Sequence, residues 1–196
     1  MVSERKKRAA SKIEPRKKSR KNVGIKVKVK GKPAEKTAGQ RMFAIILIML
    51  PLVIGIMSAT VAGSAMASFD ALNRPPLMPS ALTFIIIWTV LYILMGVALY
   101  LMYKKEFENR ADCKMQVVEI IMFFVQLLFN YMWAILFFRL EARWFAFGWL
   151  VMMWMMVLTL VMMCAKNCKI AAWCLVPYVL WCAFAMYLNI MIAVLN

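Results

Sequence analysis

The chain divides into a polar first fifth and five long apolar stretches. The apolar stretches occupy residues 42–67, 81–103, 115–138, 144–164 and 170–195. Each has about 20 residues or more, the helix length needed to cross the roughly 30 Å hydrocarbon core of a bilayer. Backbone in lipid must satisfy its own hydrogen bonds, and short links make neighbouring helices antiparallel. The pattern therefore predicts an all-α membrane protein in which residues 42–196 form a bundle of five transmembrane helices.

Composition supports a membrane body and separates it from the first residues of the chain. The chain is 64% hydrophobic, whereas a soluble domain averages about 45–50% apolar residues. Residues 1–40 hold 15 Lys and Arg against 3 Asp and Glu, while residues 41–196 hold 10 against 6. A segment so basic and so poor in aromatics cannot bury enough apolar surface to fold alone. Residues 1–41 are therefore predicted to be a disordered basic tail on the cytoplasmic side.

The basic tail suggests one partner and argues against another. Clusters of Lys and Arg beside a membrane helix are attracted to anionic lipid headgroups, so residues 1–41 are expected to bind them. Nucleic acid is not expected as a partner, because the tail has no aromatic residues between its charges. The lipid bilayer itself is expected to be the partner of the five helices.

Positive charge in the links predicts the orientation of the bundle. With the N-terminus inside, 22 Lys and Arg lie on the inner side and 3 on the outer side, as the positive-inside rule requires. Residues 68–80, which contain three prolines, are then outside. The tail carries Glu4 and Glu14 and lacks the hallmarks of a transit peptide. We therefore expect the bacterial plasma membrane first and the mitochondrial outer membrane second.

Ionisable groups that could carry chemistry are scarce in the apolar stretches. The chain has no histidine, so the pair formed by Cys164 and Cys168 cannot be completed to a zinc set. The cysteines are expected to be unpaired small hydrophobes. Glu119 is the one carboxylate within the predicted spans. No metal site, required cofactor or nucleophile–base pair is expected, and the residues suit binding of a flat apolar ligand better than catalysis.

Aromatic and amide side chains recur at helical spacing on three of the stretches. Together with the apolar or small residues on the same faces, they are Trp88, Tyr92, Gly96 and Tyr100 on the second stretch, Gln126, Asn130, Trp133 and Phe137 on the third, and Tyr178, Trp181, Ala185 and Leu188 on the fifth. Amides in hydrocarbon face the interior of a bundle. The pattern fits either a packed interior with amides bonded across helices or a lined cavity. In the first stretch, small residues from Gly55 to Ala67 fit helix packing, a dimer face or a pocket wall, and Pro51 is predicted to bend the helix. In the second stretch, Gly96 is expected to admit a close neighbour, and Ser80 is expected to cap the start of the helix.

Four motifs in fixed order carry a resemblance to a known family. They are RPPLMP at 74–79, WTVLYILMG at 88–96, QLLFNYMWAILFF at 126–138 and VPYVLWCAFAMYLN at 176–189. Together they resemble the tryptophan-rich sensory protein and translocator protein family (TspO/MBR, the peripheral benzodiazepine receptors). The resemblance covers residues 42–196 and leaves out the basic tail. It implies five transmembrane helices with a pocket that opens towards the first loop.

The resemblance also implies ligands and site residues. Members of the family bind porphyrins, and some bind cholesterol or isoquinoline- and benzodiazepine-type drugs. Matching motifs place pocket residues at Ala59, Phe84, Trp88, Asn130, Trp144, Trp181, Ala185 and Leu188. Tyr92 and Trp133 join them from the same helix faces, and Arg74 is expected to pair with a porphyrin propionate. Trp88 and Trp181 are the leading candidates, because an indole can stack on a flat macrocycle.

The sequence departs from the family pattern at three places. The family motif P-P-G-W is replaced by Pro79-Ser80-Ala81-Leu82 in the first loop. No basic residue follows Leu188, so the animal cholesterol motif is absent. The third stretch has only Ala134 as a small residue in its core, so a homodimer is possible but unsupported at that face.

Three functions follow as hypotheses. The first is binding of tetrapyrroles such as protoporphyrin IX, and of other flat lipophilic ligands, by a sensor, scavenger or transporter. The alternative is light- or oxygen-dependent breakdown of porphyrin, with Trp88 and Trp181 as radical-forming residues. A third is a regulatory membrane partner that acts through its basic tail. Binding without catalysis is the favoured prediction.

Overall fold

Five long helices make up the described part of the protein. The computed structural model describes residues 37–69, 73–106 and 110–196. Within these ranges it contains no strand, and its helices are α1 (Ala38–Phe69), α2 (Ala81–Lys104), α3 (Arg110–Ala134), α4 (Arg143–Asn167) and α5 (Lys169–Leu195). All five are long and apolar enough to cross a membrane, so the predicted fold class is confirmed. Most of the predicted basic tail, residues 1–36, lies outside the described residues.

Each predicted apolar stretch lies within one helix, except that α3 ends at Ala134 and a π-helical turn, Ile135–Arg139, holds the rest of the stretch 115–138. The helices also extend beyond the stretches into polar sequence. The helix α1 begins at Ala38 rather than at residue 42, and α3 begins at Arg110 rather than at residue 115. The links are short: residues 140–142 join α3 to α4, and Cys168 alone separates α4 from α5. Consecutive helices are therefore antiparallel. We call the end of the bundle that carries residues 73–80, 140–142 and the last turn of α5 the proline-loop end.

The start of α2 is fixed by local hydrogen bonds. The Oγ of Ser80 accepts a hydrogen bond from the backbone N–H of Thr83 at 3.2 Å, as an N-cap does. This confirms the predicted cap. Before it, the N–H of Met78 bonds the carbonyl of Pro75 at 3.4 Å, and Leu77 has φ of 67°. A proline followed by a residue at positive φ is the pattern of a type II turn, in which glycine would be the unstrained choice at Leu77.

The proline loop is attached to the last turns of α5. The backbone N–H of Asn73 donates to Oδ1 of Asn196 at 2.9 Å, and the Asn73 amide donates to the carbonyl of Leu195 at 3.2 Å. The Tyr187 hydroxyl donates to the carbonyl of Pro76 at 3.1 Å. These bonds hold the described part of the loop, from residue 73 onward, against α5.

The core lies between α2, α3, α4 and α5, and α1 is at its edge. Met95, Leu160 and Leu175 are fully buried on α2, α4 and α5 respectively. In the most apolar segment of α1, 22% of the residues are buried, whereas 28% to 44% are buried in the most apolar segments of the other four helices. The helix α1 therefore presents most of its surface to lipid and packs chiefly on α2 and the end of α3.

Two glycines allow α1 and α2 to approach closely. A Cβ added to Gly96 would collide with the backbone carbonyl of Ile48, so the two helix backbones touch there. A Cβ added to Gly55 would collide with the ring of Tyr92. Both contacts are within the chain, which confirms the prediction that Gly96 admits a close neighbour and shows that Gly55 packs against α2.

A π-helical turn, Ile135–Arg139, continues α3 at the proline-loop end. The N–H of Leu140 bonds the carbonyl of Ile135, five residues earlier, at 3.0 Å. The wider turn allows three consecutive side chains, Leu136, Phe137 and Phe138, to be buried together. Isolated π turns within helices are frequent at functional sites, and this one borders the cavity described next.

Candidate functional site

A mainly apolar cavity of about 140 Å³ lies between α1, α2 and the end of α3, in the half of the bundle nearest the proline-loop end. All three elements contribute to its wall through apolar, aromatic and a few polar side chains. The lining residues are Leu52, Gly55, Ile56, Ser58, Ala59, Phe84, Ile85, Trp88, Thr89, Tyr92, Asn130, Trp133, Ala134 and Phe138. The faces predicted from helical spacing on α2 and α3 therefore meet across this space.

A chain of hydrogen bonds fixes the inner wall of the cavity. The Tyr92 hydroxyl donates to Oδ1 of Asn130 at 2.6 Å, and Nδ2 of Asn130 donates to the Tyr178 hydroxyl at 2.9 Å. The Tyr178 hydroxyl in turn donates to the sulfur of Met153 at 3.5 Å. An unpaired amide in hydrocarbon is costly. The chain satisfies Asn130 and ties α2, α3, α5 and α4 together, which confirms that this amide faces inward.

Trp133 is also held in place by a chain of hydrogen bonds, which runs through Asn189 of α5. Its indole N–H donates to Oδ1 of Asn189 at 3.2 Å, and the Asn189 amide donates to the carbonyl of Arg143 at 2.8 Å. Asn189 is 1% exposed. Because both hydrogen-bonding sides of Asn189 are used, the Trp133 ring has a fixed position on the cavity wall and α5 is linked to the start of α4.

Trp88 differs from the other polar residues of the wall. Its ring lies 5.4 Å from Tyr92, 6.4 Å from Trp133 and 6.2 Å from Tyr178, measured between ring centroids. The indole nitrogen is buried and has no hydrogen-bond partner among the described residues. Buried polar groups of native proteins nearly always have a hydrogen-bond partner, so this unpaired N–H sets Trp88 apart from the rest of the wall.

Behind Trp88, the aromatic cluster continues onto α5. The ring of Trp181 lies 6.5 Å from Trp88, edge to face, and 5.9 Å from Phe84. Its indole nitrogen is likewise buried without a partner in the described part of the chain. Trp181 is outside the lining of the cavity, so it supports the wall through Phe84 and Trp88.

The cavity offers groups for binding rather than for proton transfer. The lining contains no carboxylate, lysine, arginine or cysteine, and the hydroxyl of Tyr92 already donates a hydrogen bond to Asn130. In the described ranges, no group of three or more His, Cys, Asp or Glu side chains could hold a metal ion. The aromatic side chains of the wall can stack on a flat ring system.

Comparison with known proteins identifies the family. The model of the TspO/MBR family matches residues 47–195, which include all of α2 to α5 and the cavity. The chain belongs to the TspO/MBR family. With five apolar helices, it is an integral, multi-pass membrane protein.

Relatives from three branches of life are similar to this TspO/MBR protein. The tryptophan-rich protein TspO of Chlorobaculum tepidum is 31% identical over 132 residues, which are 65% of this chain and 78% of that protein. The protein of the same name from Archaeoglobus fulgidus is 30% identical over 135 residues, 69% of this chain and 84% of that one. The translocator protein of Ovis aries is 32% identical over 129 residues, 66% and 75% of the two chains.

Six of the eleven site residues predicted for this TspO/MBR protein line the cavity together: Ala59, Phe84, Trp88, Tyr92, Asn130 and Trp133. The other five lie elsewhere. Trp181 is in ring contact with the lining, whereas Ala185 and Leu188 are buried on α5 at 4% and 7% exposure. Trp144 is 62% exposed at the start of α4, and Arg74 is exposed in the proline loop. A ligand-binding role for all eleven residues stays a prediction.

Several lining residues were not predicted. Leu52, Ile56 and Ile85 are ordinary apolar residues of membrane helices, and nothing in their sequence context separates them from lipid-facing ones. Phe138 lines the cavity because of the π turn, which periodicity does not reveal. Ser58 could have been predicted to face the interior of the bundle, because it is a small polar residue within the run of small residues on α1. In the structure it is 4% exposed.

Gln126 faces inward as predicted, but its environment is unlike that of Asn130. Its side chain is 0% exposed, and neither its amide nitrogen nor its amide oxygen is hydrogen-bonded within the described ranges. The predicted bonding of amides across helices is therefore observed for Asn130 but not for Gln126.

Proposed function

We propose that this protein binds tetrapyrroles of the protoporphyrin IX kind, and other flat lipophilic molecules, in the cavity between α1, α2 and α3. In the cell it would act as a sensor, scavenger or transporter of such molecules. The observation that carries the proposal is Trp88, whose ring lies on the cavity wall while its buried N–H has no partner among the described residues.

The composition of the wall suits a flat aromatic ligand. Phe84, Trp88 and Trp133 present ring surfaces, and aromatic rings in offset or edge contact contribute about 0.5–1.5 kcal/mol per pair beyond their buried area. Tyr92 and Asn130 are already bonded to each other, so they add shape rather than free donors. A ligand that places an acceptor near Nε1 of Trp88 would satisfy the one buried polar atom that the wall leaves unpaired.

Cavity size limits how a macrocycle can bind. A space of about 140 Å³ suits a group of about the size of benzene, whereas sites for drug-sized ligands have about 300–1,000 Å³. A tetrapyrrole would therefore insert one edge, or displace part of the wall. We propose that the remainder lies towards the proline-loop end, where exposed Arg74 would pair with a propionate.

The test is a titration of the purified protein in nanodiscs with protoporphyrin IX, haem and a sterol. Porphyrin absorbance is recorded rather than protein fluorescence, because tryptophan variants change the fluorescence itself. We expect saturable binding of protoporphyrin IX and weak binding of the sterol. Trp88→Phe, which keeps an aromatic ring but removes the N–H, should weaken porphyrin binding by about tenfold, corresponding to about 1.4 kcal/mol for one buried hydrogen bond.

Trp173→Phe is the matched control, because Trp173 is on α5 and is 72% exposed to the surroundings of the bundle. It should leave the affinity unchanged. If Trp88→Phe binds porphyrin as tightly as Trp173→Phe does, the cavity wall is not the binding site.

A second candidate function is light- or oxygen-dependent breakdown of the bound porphyrin. The supporting observation is the edge-to-face contact of Trp88 and Trp181 at 6.5 Å, a spacing across which an electron can pass between two indoles. Illumination of the complex should then produce a bilin-like absorption band that is lost in Trp181→Phe. Bleaching at the rate of free porphyrin would exclude this activity.

Surroundings and partners complete the proposal. We place the protein in a bacterial plasma membrane, with a mitochondrial outer membrane as the alternative, and two of the similar proteins are from prokaryotes. We propose that residues 1–41 bind anionic lipid headgroups. Co-sedimentation of the protein with vesicles that contain roughly 30% phosphatidylserine, compared with neutral vesicles, would test this binding. A homodimer would use a face other than Ala134, because that residue is 9% exposed and lines the cavity.

A further inference from the structure

Three residues of the cavity wall also lie on the outer surface of the helix bundle. Ile56 of α1 is 56% exposed and Ile85 of α2 is 53% exposed. Ala59 is exposed as well, and all three line the cavity. They belong to membrane-spanning segments, so the surface they share with the cavity faces lipid. The cavity therefore reaches the bilayer along the seam between α1 and α2.

The seam is tight at one level and open at another. The backbones of α1 and α2 touch where Gly96 meets Ile48. Because the helices are antiparallel, the stretch from Ile48 to Ala59 runs beside the stretch from Gly96 to Ile85. In each stretch the two end residues are eleven positions apart in the sequence. That distance is about 16 Å along a helix. This count puts Ala59 and Ile85 near the same level at the far end, where both line the cavity.

Pro51 lies between the tight contact and the cavity wall. It is inside α1, three residues after Ile48 and one before Leu52, the first lining residue. Proline has no N–H, so the carbonyl of Leu47 lacks its usual partner one turn later, and helices bend most readily at such positions. The part of α1 beyond Pro51 can therefore move while the part at Ile48 stays on α2.

The two walls of the cavity differ in how firmly they are held. The wall on α2 and α3 is tied to α5 and α4 through Asn130 and Trp133. The helix α1 is the least buried of the five. The hydrogen bonds that hold the proline loop run from Asn73 and Tyr187 and attach it to α5. None of these bonds is made by a described residue of α1.

We propose that the seam between α1 and α2 is a lateral portal, rimmed by Ile56, Ala59 and Ile85, through which flat lipophilic ligands pass directly from the bilayer into the cavity. The portal opens when the part of α1 beyond Pro51 swings away from α2, with the contact of Gly96 and Ile48 as the fixed point. This movement also enlarges the cavity beyond its 140 Å³. The proposal rests on the proposed function in that the ligand is taken to be a tetrapyrrole or a similar molecule.

Cross-linking the seam tests the portal. Ala59→Cys and Ile85→Cys are combined in a background in which Cys113, Cys168 and Cys174 are serine, and the pair is joined with a short reversible bis-thiol reagent. The matched control joins the proline loop to α5 through Asn73→Cys and Asn196→Cys, at a place where the Asn196 side chain is hydrogen-bonded to the backbone N–H and carbonyl of Asn73. Protoporphyrin IX is delivered in lipid vesicles, and its association rate is measured before and after cross-linking and after release by a reductant.

The portal predicts that the seam cross-link slows porphyrin association by about tenfold or more, that reductant restores the rate, and that the loop cross-link leaves the rate unchanged. An unchanged rate after seam cross-linking overturns the portal. Equal slowing by both cross-links also overturns it, because general stiffening would then explain the effect.

A second readout separates the portal from the proposed function. Bilayers of brominated lipid quench tryptophans that acyl chains can approach, and the contribution of Trp88 is the difference between the parent protein and its Trp88→Phe variant. Seam cross-linking should reduce quenching of Trp88, whereas loop cross-linking should not. If the protein binds no porphyrin but shows this pattern, the proposed ligand is wrong and the portal stands. If porphyrin binds and Trp88 quenching is the same before and after seam cross-linking, the portal is wrong and the proposed function stands.

Discussion

Replacing Gly96 by alanine should weaken the packing of α1 on α2. The added Cβ would collide with the backbone carbonyl of Ile48. No side-chain rotation can remove a collision with backbone, so α1 must shift as a body and lose contact along the seam. Overpacking of this kind costs about 1–3 kcal/mol. Greater helix propensity of alanine offsets at most about 1 kcal/mol of that.

Gly148 provides the matched control for Gly96. It lies on α4, and a Cβ added there would meet nothing within 4 Å. Gly148→Ala should therefore leave the stability unchanged or raise it by up to about 1 kcal/mol. We expect Gly96→Ala to be less stable than Gly148→Ala by about 2 kcal/mol in reversible unfolding from mixed micelles.

A third variant distinguishes a backbone collision from a side-chain one. Ile48→Ala removes side-chain atoms but keeps the carbonyl, so it should not rescue Gly96→Ala, and the double variant should show no favourable coupling energy. Equal stability of Gly96→Ala and Gly148→Ala, or rescue by Ile48→Ala, would show that the two helix backbones are not in contact at this level.

Three further predictions concern hydrogen bonds at and near the cavity. Tyr92→Phe and Asn130→Ala should be coupled by about 0.6 kcal/mol, and by no more than about 1.7 kcal/mol, in a double-mutant cycle of unfolding; strictly additive effects would contradict the bond between them. Ser80→Ala should destabilise the start of α2 by about 1 kcal/mol in unfolding measurements while Ser80→Asp retains the cap; equal stability of the two variants would refute the cap. Asn189→Leu should free the indole N–H of Trp133, shift its fluorescence and cost about 1–3 kcal/mol; an unchanged Trp133 spectrum would contradict the bond.

Much of the fold follows from the sequence because a bilayer restricts the choices. A long apolar stretch must be helical in lipid, so the five helices and their antiparallel order were predictable. The chemistry of single residues also allowed correct predictions: Ser80 caps α2, and Gly96 lies where another helix backbone passes. Helix ends were less predictable, because polar residues such as Arg110 continue a helix beyond the apolar region.

Packing details were not accessible from periodicity. Trp144 and Trp88 are both tryptophans near the ends of apolar stretches, yet one is 62% exposed and the other 9% exposed. A helix with apolar residues on all sides carries no strong signal about which side meets protein. The π turn changes the direction of side chains at the end of α3, so the role of Phe138 could be seen only in the structure.

The central claim is that a ligand in the cavity accepts a hydrogen bond from Trp88, and the indole ¹⁵N–¹H spectrum of the protein in nanodiscs tests it most directly. The N–H of Trp88 is unpaired within the described residues, whereas Trp173 is exposed on α5 outside the cavity lining and serves as the internal reference. Addition of protoporphyrin IX should move the Trp88 indole proton downfield, as a new hydrogen bond does, and leave the Trp173 resonance in place. Saturating porphyrin that leaves the Trp88 resonance in place would contradict the account.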